Sequence, residues 1–216
     1  MGTISVTATG RAAAKPDITR VDLSINGTRK EYSEAFDDSV SNGNEIKDVL
    51  EAAGIGRESL KTTDFRIEPR YETVKTEGSG YKEAFMGYQY MQSLAFEFPA
   101  DNSLLGKMLY SISRCRCAPR ISFSYRSSSM EEARTEALKE AIKTAEKRAG
   151  IMAEASGVRI TGIRSIGSPE PSRPMMKAMA FRANADGFAE ESAYSLDFQP
   201  EDIEVTESIS IEWDIA

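Results

Sequence analysis

ISVTATGRAAAKPDITRVDLSINGTRK, Ile4 to Lys30, decides the fold class of this chain. Ile4, Val6 and Ala8 alternate with Ser5, Thr7 and Thr9. Further on, Val21, Leu23 and Ile25 alternate with Asp22, Ser24 and Asn26. A period of two is the pattern of a half-buried strand. An elbow of small residues ending in Lys15-Pro16-Asp17 separates the two strands, because proline has no N–H to give to a ladder.

Working outward, the spacing predicts a helix over Glu31–Ala53, with Ala35, Phe36, Val40, Val49, Leu50 and Ala53 as its apolar stripe and Gly54 as its stop. Gly43 is a weak point in its middle. Two long strands follow, Phe65–Val74 and Tyr88–Phe98, joined by a Gly/Ser turn region. Their length predicts a hairpin over residues 60–98 that either protrudes from the body or is split by a bulge near Pro69. Asp101–Arg114 reads as a second helix and Arg120–Arg126 as a strand. The third helix opens on Ser129-Met-Glu-Glu132, a capping-box pattern, and ends at Gly157. Its alanines at 133, 137, 141, 145, 149 and 153 form a ridge that lets the backbone lie close to a sheet. Glu140 and Lys143 are positioned for a pair on its solvent side. Val158–Ile166 reads as a strand, and Ser168–Asn184, with three prolines in six residues, as irregular. In the last strand Ile203, Val205, Ile209, Ile211, Trp213 and Ile215 share a face, and Glu207 breaks the alternation. The order β-β-α-β-β-α-β-α-β-β predicts an α+β fold, mostly antiparallel sheet with helices on one side. Residues 1–216 read as a single domain with two sub-lobes, 1–98 and 99–216.

The strand–glycine–Pro-Asp–strand–helix opening resembles the SIMPL-domain family. So do Leu50-Glu-Ala-Ala-Gly54-Ile55, Thr63, Pro69-Arg-Tyr71, Gly87-Tyr88 and the ending Pro200-Glu-Asp-Ile203-Glu-Val205, in that order along nearly the whole chain. Glu201 stands where the family usually has glycine. The resemblance implies an oligomer-forming bacterial domain with no established catalytic residues. It also implies ring- or channel-like assembly and a loose link to the envelope or to oxidative stress.

Composition excludes much. A net charge of -7 argues against nucleic acid and against a polybasic membrane patch. No apolar run approaches the ~20 residues of a membrane span. Histidine is absent, which removes Ser-His-Asp and Cys-His nucleophile systems and His-ligated metals. The first strand begins almost at Met1, so the expected compartment is the cytoplasm, or an exported location if a leader has been removed.

The candidate sites are few. Phe65, Ile67, Tyr71, Tyr88 and Tyr90 are the expected oligomer interface on the hairpin; the tyrosines read first as sheet core or subunit interface and otherwise as a ligand wall. Arg66, Glu68, Arg70 and Glu72 alternate as a charged face that guards an edge or forms an ion-pair ladder between protomers. Cys115 and Cys117 read as a redox pair, as half of a thiolate metal site, or as ordinary thiols at a helix–strand junction in a reducing cytoplasm, the reading preferred here. Met175, Met176 and Met179 could ligate a soft metal or act as an oxidant sink, and more simply cover an apolar surface. No nucleophile–base pair, phosphate-cradling loop or metal-spaced cluster is recognisable, so the expectation is a non-enzymatic, self-assembling protein without cofactors. The alternative is a small-molecule-binding domain with an aromatic-lined pocket between the sheet and helix 129–156.

Overall fold

The two opening strands do not pair with each other. The elements are β1 (Gly2–Ala14), β2 (Ile18–Arg29), α1 (Tyr32–Ala52), β3 (Lys61–Lys75), β4 (Tyr81–Pro99), α2 (Asn102–Ser113), β5 (Arg120–Arg126), α3 (Met130–Ser156), β6 (Ile160–Gly167), β7 (Met179–Phe181) and β8 (Ile203–Ile215). The computed structural model describes residues 2–75, 81–167, 179–181 and 198–216, with the backbone alone for 179–181. β1 joins a three-stranded sheet ordered β1-β8-β6, and β2 a five-stranded sheet ordered β3-β4-β2-β5-β7. The fold is α+β, and the registered strand pairs are antiparallel. Contacts divide the chain into two units. One is Met1–Asp17, Arg126–Met176 and Pro200–Ala216; the other is Ile18–Tyr125 and Lys177–Gln199. β1 finds its partner at the far end of the chain, and α2 and β5 stay with the hairpin.

In the first unit, α3 lies on the β1–β8 pair. All six ridge alanines are buried against Ile4, Val6, Ala8, Ile209, Ile211 and Trp213 or in the adjoining Ala14–Val205 cluster. Gly10 permits the approach. A Cβ there would stand 2.0 Å from the Ala137 carbonyl oxygen and 2.4 Å from the Ala141 nitrogen. Side chains of α3 also occupy the free edge of β1: Arg148 donates to the Thr7 carbonyl at 3.4 Å, and the Arg11 N–H donates to the Glu140 carboxylate. Glu140 therefore faces the strand, away from the Lys143 pairing its spacing predicts. Ser129 makes no cap bond; its hydroxyl is paired with that of Ser127 at 3.0 Å. The reciprocal capping box is instead at α1, between Glu31 and Glu34. Asp17 ties the elbow down, its carboxylate accepting the Ser128 N–H at 2.8 Å and the Ser128 hydroxyl. Those bonds hold its pKa below the usual carboxylate range.

β6 carries isoleucine every third residue, which neither simple period explains. Two register shifts, between Ile160 and Gly162 and between Ile163 and Ser165, set Ile160, Ile163 and Ile166 opposite Ile215, Trp213 and Ile211. Each bulge absorbs one residue, so a spacing of three becomes one face.

In the second unit, α1 and α2 cover one face of the sheet. Val21, Leu23 and Ile25 of β2 and Leu94, Phe96 and Phe98 of β4 meet Ile46 and Leu50 of α1 and Leu105, Met108, Leu109 and Ile112 of α2. Asp101 caps α2, accepting from the Ser103 and Leu104 N–H groups. The stripe of α1 differs from its sequence reading. Ala35, Ser39, Gly43, Ile46 and Leu50 are buried, whereas Phe36 and Val40 are exposed. Gly43 lies on the packed side of the helix, beside the Gln92 amide. The stretch expected to be irregular contains β7, which pairs with Ile121–Phe123 of β5.

Candidate functional site

The hairpin outruns its neighbour. β2 pairs with β4 only from Pro99 to Tyr88, whereas β3 and β4 continue together to Lys75 and Tyr81. At ~3.3 Å per residue the six residues from Arg70 to Lys75 extend ~20 Å beyond the end of β2. The change occurs at Gly87. Its φ is +122°, and a Cβ there would stand 2.2 Å from the Arg29 carbonyl oxygen. One residue on, β4 carries an extra residue, Met86, opposite the step from Arg70 to Tyr71. A bulge and a protruding arm are both present.

The bulge sorts the side chains. It brings Phe85 and Tyr88, three residues apart, onto one face, with ring centroids 5.4 Å apart. Tyr71 joins Phe85 at 5.6 Å, and Tyr32 of α1 joins Tyr88 at 5.6 Å. Phe36 of α1 meets Phe65 of β3 at 6.4 Å. Most of these contacts are edge-to-face, the arrangement the ring quadrupoles favour. Yet Tyr32, Phe36, Phe65, Tyr71 and Phe85 are 40–56% exposed. The opposite face is ionic: Arg66 pairs with Asp64 at 3.1 Å and Arg70 with Glu72 at 2.7 Å, all four well exposed.

Of the residues expected at an interface, Phe65 and Tyr71 are open to solvent, and Ile67 and Tyr88 are half-buried against the core. Tyr90 lies on the same side of β4 but is covered: it is 1% exposed. Its ring lies over Gly27, where a Cβ would come within 2.6 Å of it. Its hydroxyl donates to Asp38 at 2.9 Å and accepts from the Asn42 amide at 2.6 Å. Asp38 pairs in turn with Arg29 at 2.9 Å. Burial, then the bond to Asp38, pushes the Tyr90 pKa up to about 12. This network fastens α1 to the end of β2 and to the part of β4 paired with it, at the base of the arm.

Sequence reading missed Tyr32, Phe36 and Phe85 as parts of the face. The i, i+4, i+8 spacing of Tyr32, Phe36 and Val40 was the available signal, but it looks like a core stripe. Phe85 could be placed only by knowing the bulge.

Cys115 and Cys117 sit in the turn between α2 and β5, Cys115 buried and Cys117 half-buried, both as free thiols. Met175 and Met176 lie outside the described residues, as does the Met179 side chain. Among the described residues no group of three or more Cys, Asp or Glu is placed to hold a metal ion, and no helix is long and apolar enough to cross a membrane. The contact between α3 and the sheet is made by alanine and aliphatic side chains, with Trp213 the aromatic among its described residues.

The model of the SIMPL family, described as a protein of unknown function (DUF541), matches residues 4–213. The chain belongs to the SIMPL family. No curated protein matches it. The match runs from β1 to β8, and several of the residues by which the chain resembles the family have structural tasks. Asp17 of the Pro-Asp elbow binds Ser128. Gly54, at φ +85°, ends α1 so that the Ile55 N–H returns to the Leu50 carbonyl at 2.9 Å. Gly87 is the residue at which the arm leaves β2.

Proposed function

We propose that this SIMPL protein is a non-enzymatic scaffolding protein that assembles from copies of itself through the aromatic face shared by α1 and the hairpin. The observation that carries the reading is the area left open. Five aromatic side chains of ~200 Å² each, roughly half exposed, amount to ~500 Å². That is near the upper end of the largest apolar patch on an ordinary monomer, ~300–600 Å². Two such faces laid together would cover ~1,000 Å², the threshold of a specific interface. At ~25 cal/mol per Å² the gross gain exceeds the ~4–15 kcal/mol cost of association, with the hairpin tips adding area.

Face-to-face contact suits the arm better than edge pairing. β3 is an edge strand, but Pro69 removes a donor from its middle and Thr63 is bulged out of register.

Mass in solution by light scattering after size-exclusion chromatography tests the proposal. The wild type should be an oligomer, and the double change Tyr71→Ser, Phe85→Ser should dissociate it. Deletion of Thr73–Lys82 should act in the same direction, and Arg66→Ser on the ionic face should leave the mass unchanged. A monomeric wild type, or an oligomer indifferent to loss of the aromatic pair, overturns it.

A further inference from the structure

The turn after α2 gives Cys115-Arg116-Cys117 a geometry that an extended chain would not. The Ala118 N–H donates to the Cys115 carbonyl at 3.0 Å, closing a four-residue turn. Ala118 itself stands at φ +42°, a left-handed conformation that costs a residue with a Cβ. Glu45 of α1 holds the turn from outside, accepting the Arg116 N–H at 3.1 Å and pairing with its guanidinium at 3.5 Å. In a strand, residues i and i+2 lie ~6.6–6.8 Å apart, the far limit for a disulfide; a turn shortens that to ~5.5–6 Å, where disulfides are most common. Both side chains pack on the same apolar cluster, and the Cys115 thiol donates to the Ser111 carbonyl of α2 at 3.8 Å. The two differ in access: Cys115 is 7% exposed and Cys117 half-buried.

We infer that Cys115 and Cys117 are a redox-active dithiol site whose substrates are low-molecular-weight disulfides. Cys117 is the attacking thiol. Its thiolate displaces one thiolate from the small disulfide and forms a mixed disulfide. The Cys115 sulfur, losing its proton to solvent, then attacks the Cys117 sulfur. This closes the 115–117 bridge and releases the second small thiolate. Two protein thiols are oxidised, and one disulfide is reduced to two thiols. The neighbouring Cys115 thiol lowers the Cys117 pKa, against burial and the carboxylates of Glu45 and Asp38. The same interaction, with burial, raises that of Cys115. The group that meets solvent is therefore the one more easily ionised, and the buried group is the resolving thiol.

The test is intact-mass spectrometry of the full chain after equilibration in reduced and oxidised glutathione at graded ratios, followed by alkylation. The wild type should lose two hydrogens, carry no glutathione and resist alkylation at both positions in the oxidising buffers. Cys115→Ser should retain a glutathione adduct on Cys117, and Cys117→Ser should stay unmodified because Cys115 is covered. A stable adduct on the wild type, a disulfide between chains, or two alkylated thiols in the most oxidising buffer overturns the inference.

Discussion

Gly10→Ala is the most direct test of how the first unit is held together. The added methyl would meet the Ala137 carbonyl oxygen at 2.0 Å and the Ala141 nitrogen at 2.4 Å. Both are backbone atoms of a helix, so no side-chain rotation relieves the contact, and reaching even 3.0 Å requires α3 to move outward by about 1 Å. A gap of that size forfeits ~25–50% of each dispersion contact it opens. The contacts at stake are those of Ala137, Ala141 and Ala145, each 0% exposed, with the sheet beneath. Together with overpacking, the loss should be about 2–3 kcal/mol. Trp213, the single tryptophan and 4% exposed, belongs to this unit, so its fluorescence reports on it alone. In urea, with a slope of ~1–3 kcal/mol per M, the midpoint should fall by about 1–2 M at unchanged slope. A shift below about 0.3 M would mean that helix and sheet have slack here and that the tight approach of the alanine ridge is not what holds the unit.

Three further outcomes follow from named contacts. Gly87→Ala combines a strained φ with a backbone clash at the Arg29 carbonyl and should destabilise the second unit by about 2–4 kcal/mol, read as a lower urea midpoint by far-ultraviolet circular dichroism. Asp17 has a lowered folded pKa, so its stabilisation is fully present above the unfolded value of ~3.9 and fades as pH falls through the folded one. The stability gap between wild type and Asp17→Asn should therefore be open at neutral pH and close in acid; a constant gap refutes the Ser128 bond as its source. Tyr90 has a folded pKa raised to about 12, so its contribution holds below the unfolded value of ~10 and is lost as pH rises through the folded one. Ultraviolet titration should show a late-ionising tyrosine that Tyr90→Phe removes.

Period-two alternation made β1, β2, β5 and β8 legible, and the alanine ridge made α3 legible, because in each the buried side is set by one repeating rule. Pairing partners were not legible. β1 and β2 are neighbours in sequence with similar alternation, and nothing local says that one belongs with residues 203–215 and the other with 88–99. Ser129 shows the limit of a local motif: its hydroxyl had a nearer partner in Ser127, so the capping pattern went unused. β6 shows another. Its isoleucines at a spacing of three fit neither template, and only the two bulges, a property of the pair with β8, resolve them. The candidate face was half-legible for the same reason. Tyr71 and Tyr88 were visible by alternation, but Tyr90 follows the same alternation into the core because β2 and α1 cover that part of β4 and stop short of the rest.

The two faces of the arm bear on the kind of assembly it would support. A long hairpin with exposed rings is an aggregation hazard if its edge can also extend a ladder. Here the edge strand β3 carries Pro69 in its middle and a bulged Thr63, and its outer face pairs Asp64 with Arg66 and Arg70 with Glu72 along the strand. Stacking a second arm on the ionic face would desolvate charges that are already paired within the strand, and a buried ion pair returns little over that cost. Only the aromatic face gains by being covered. A surface that can be covered on one side only favours contacts that close on themselves over contacts that repeat without end. On the proposed function the oligomer therefore has a fixed size. Scattering mass that reaches a plateau with concentration supports that reasoning, and mass that grows continuously refutes it.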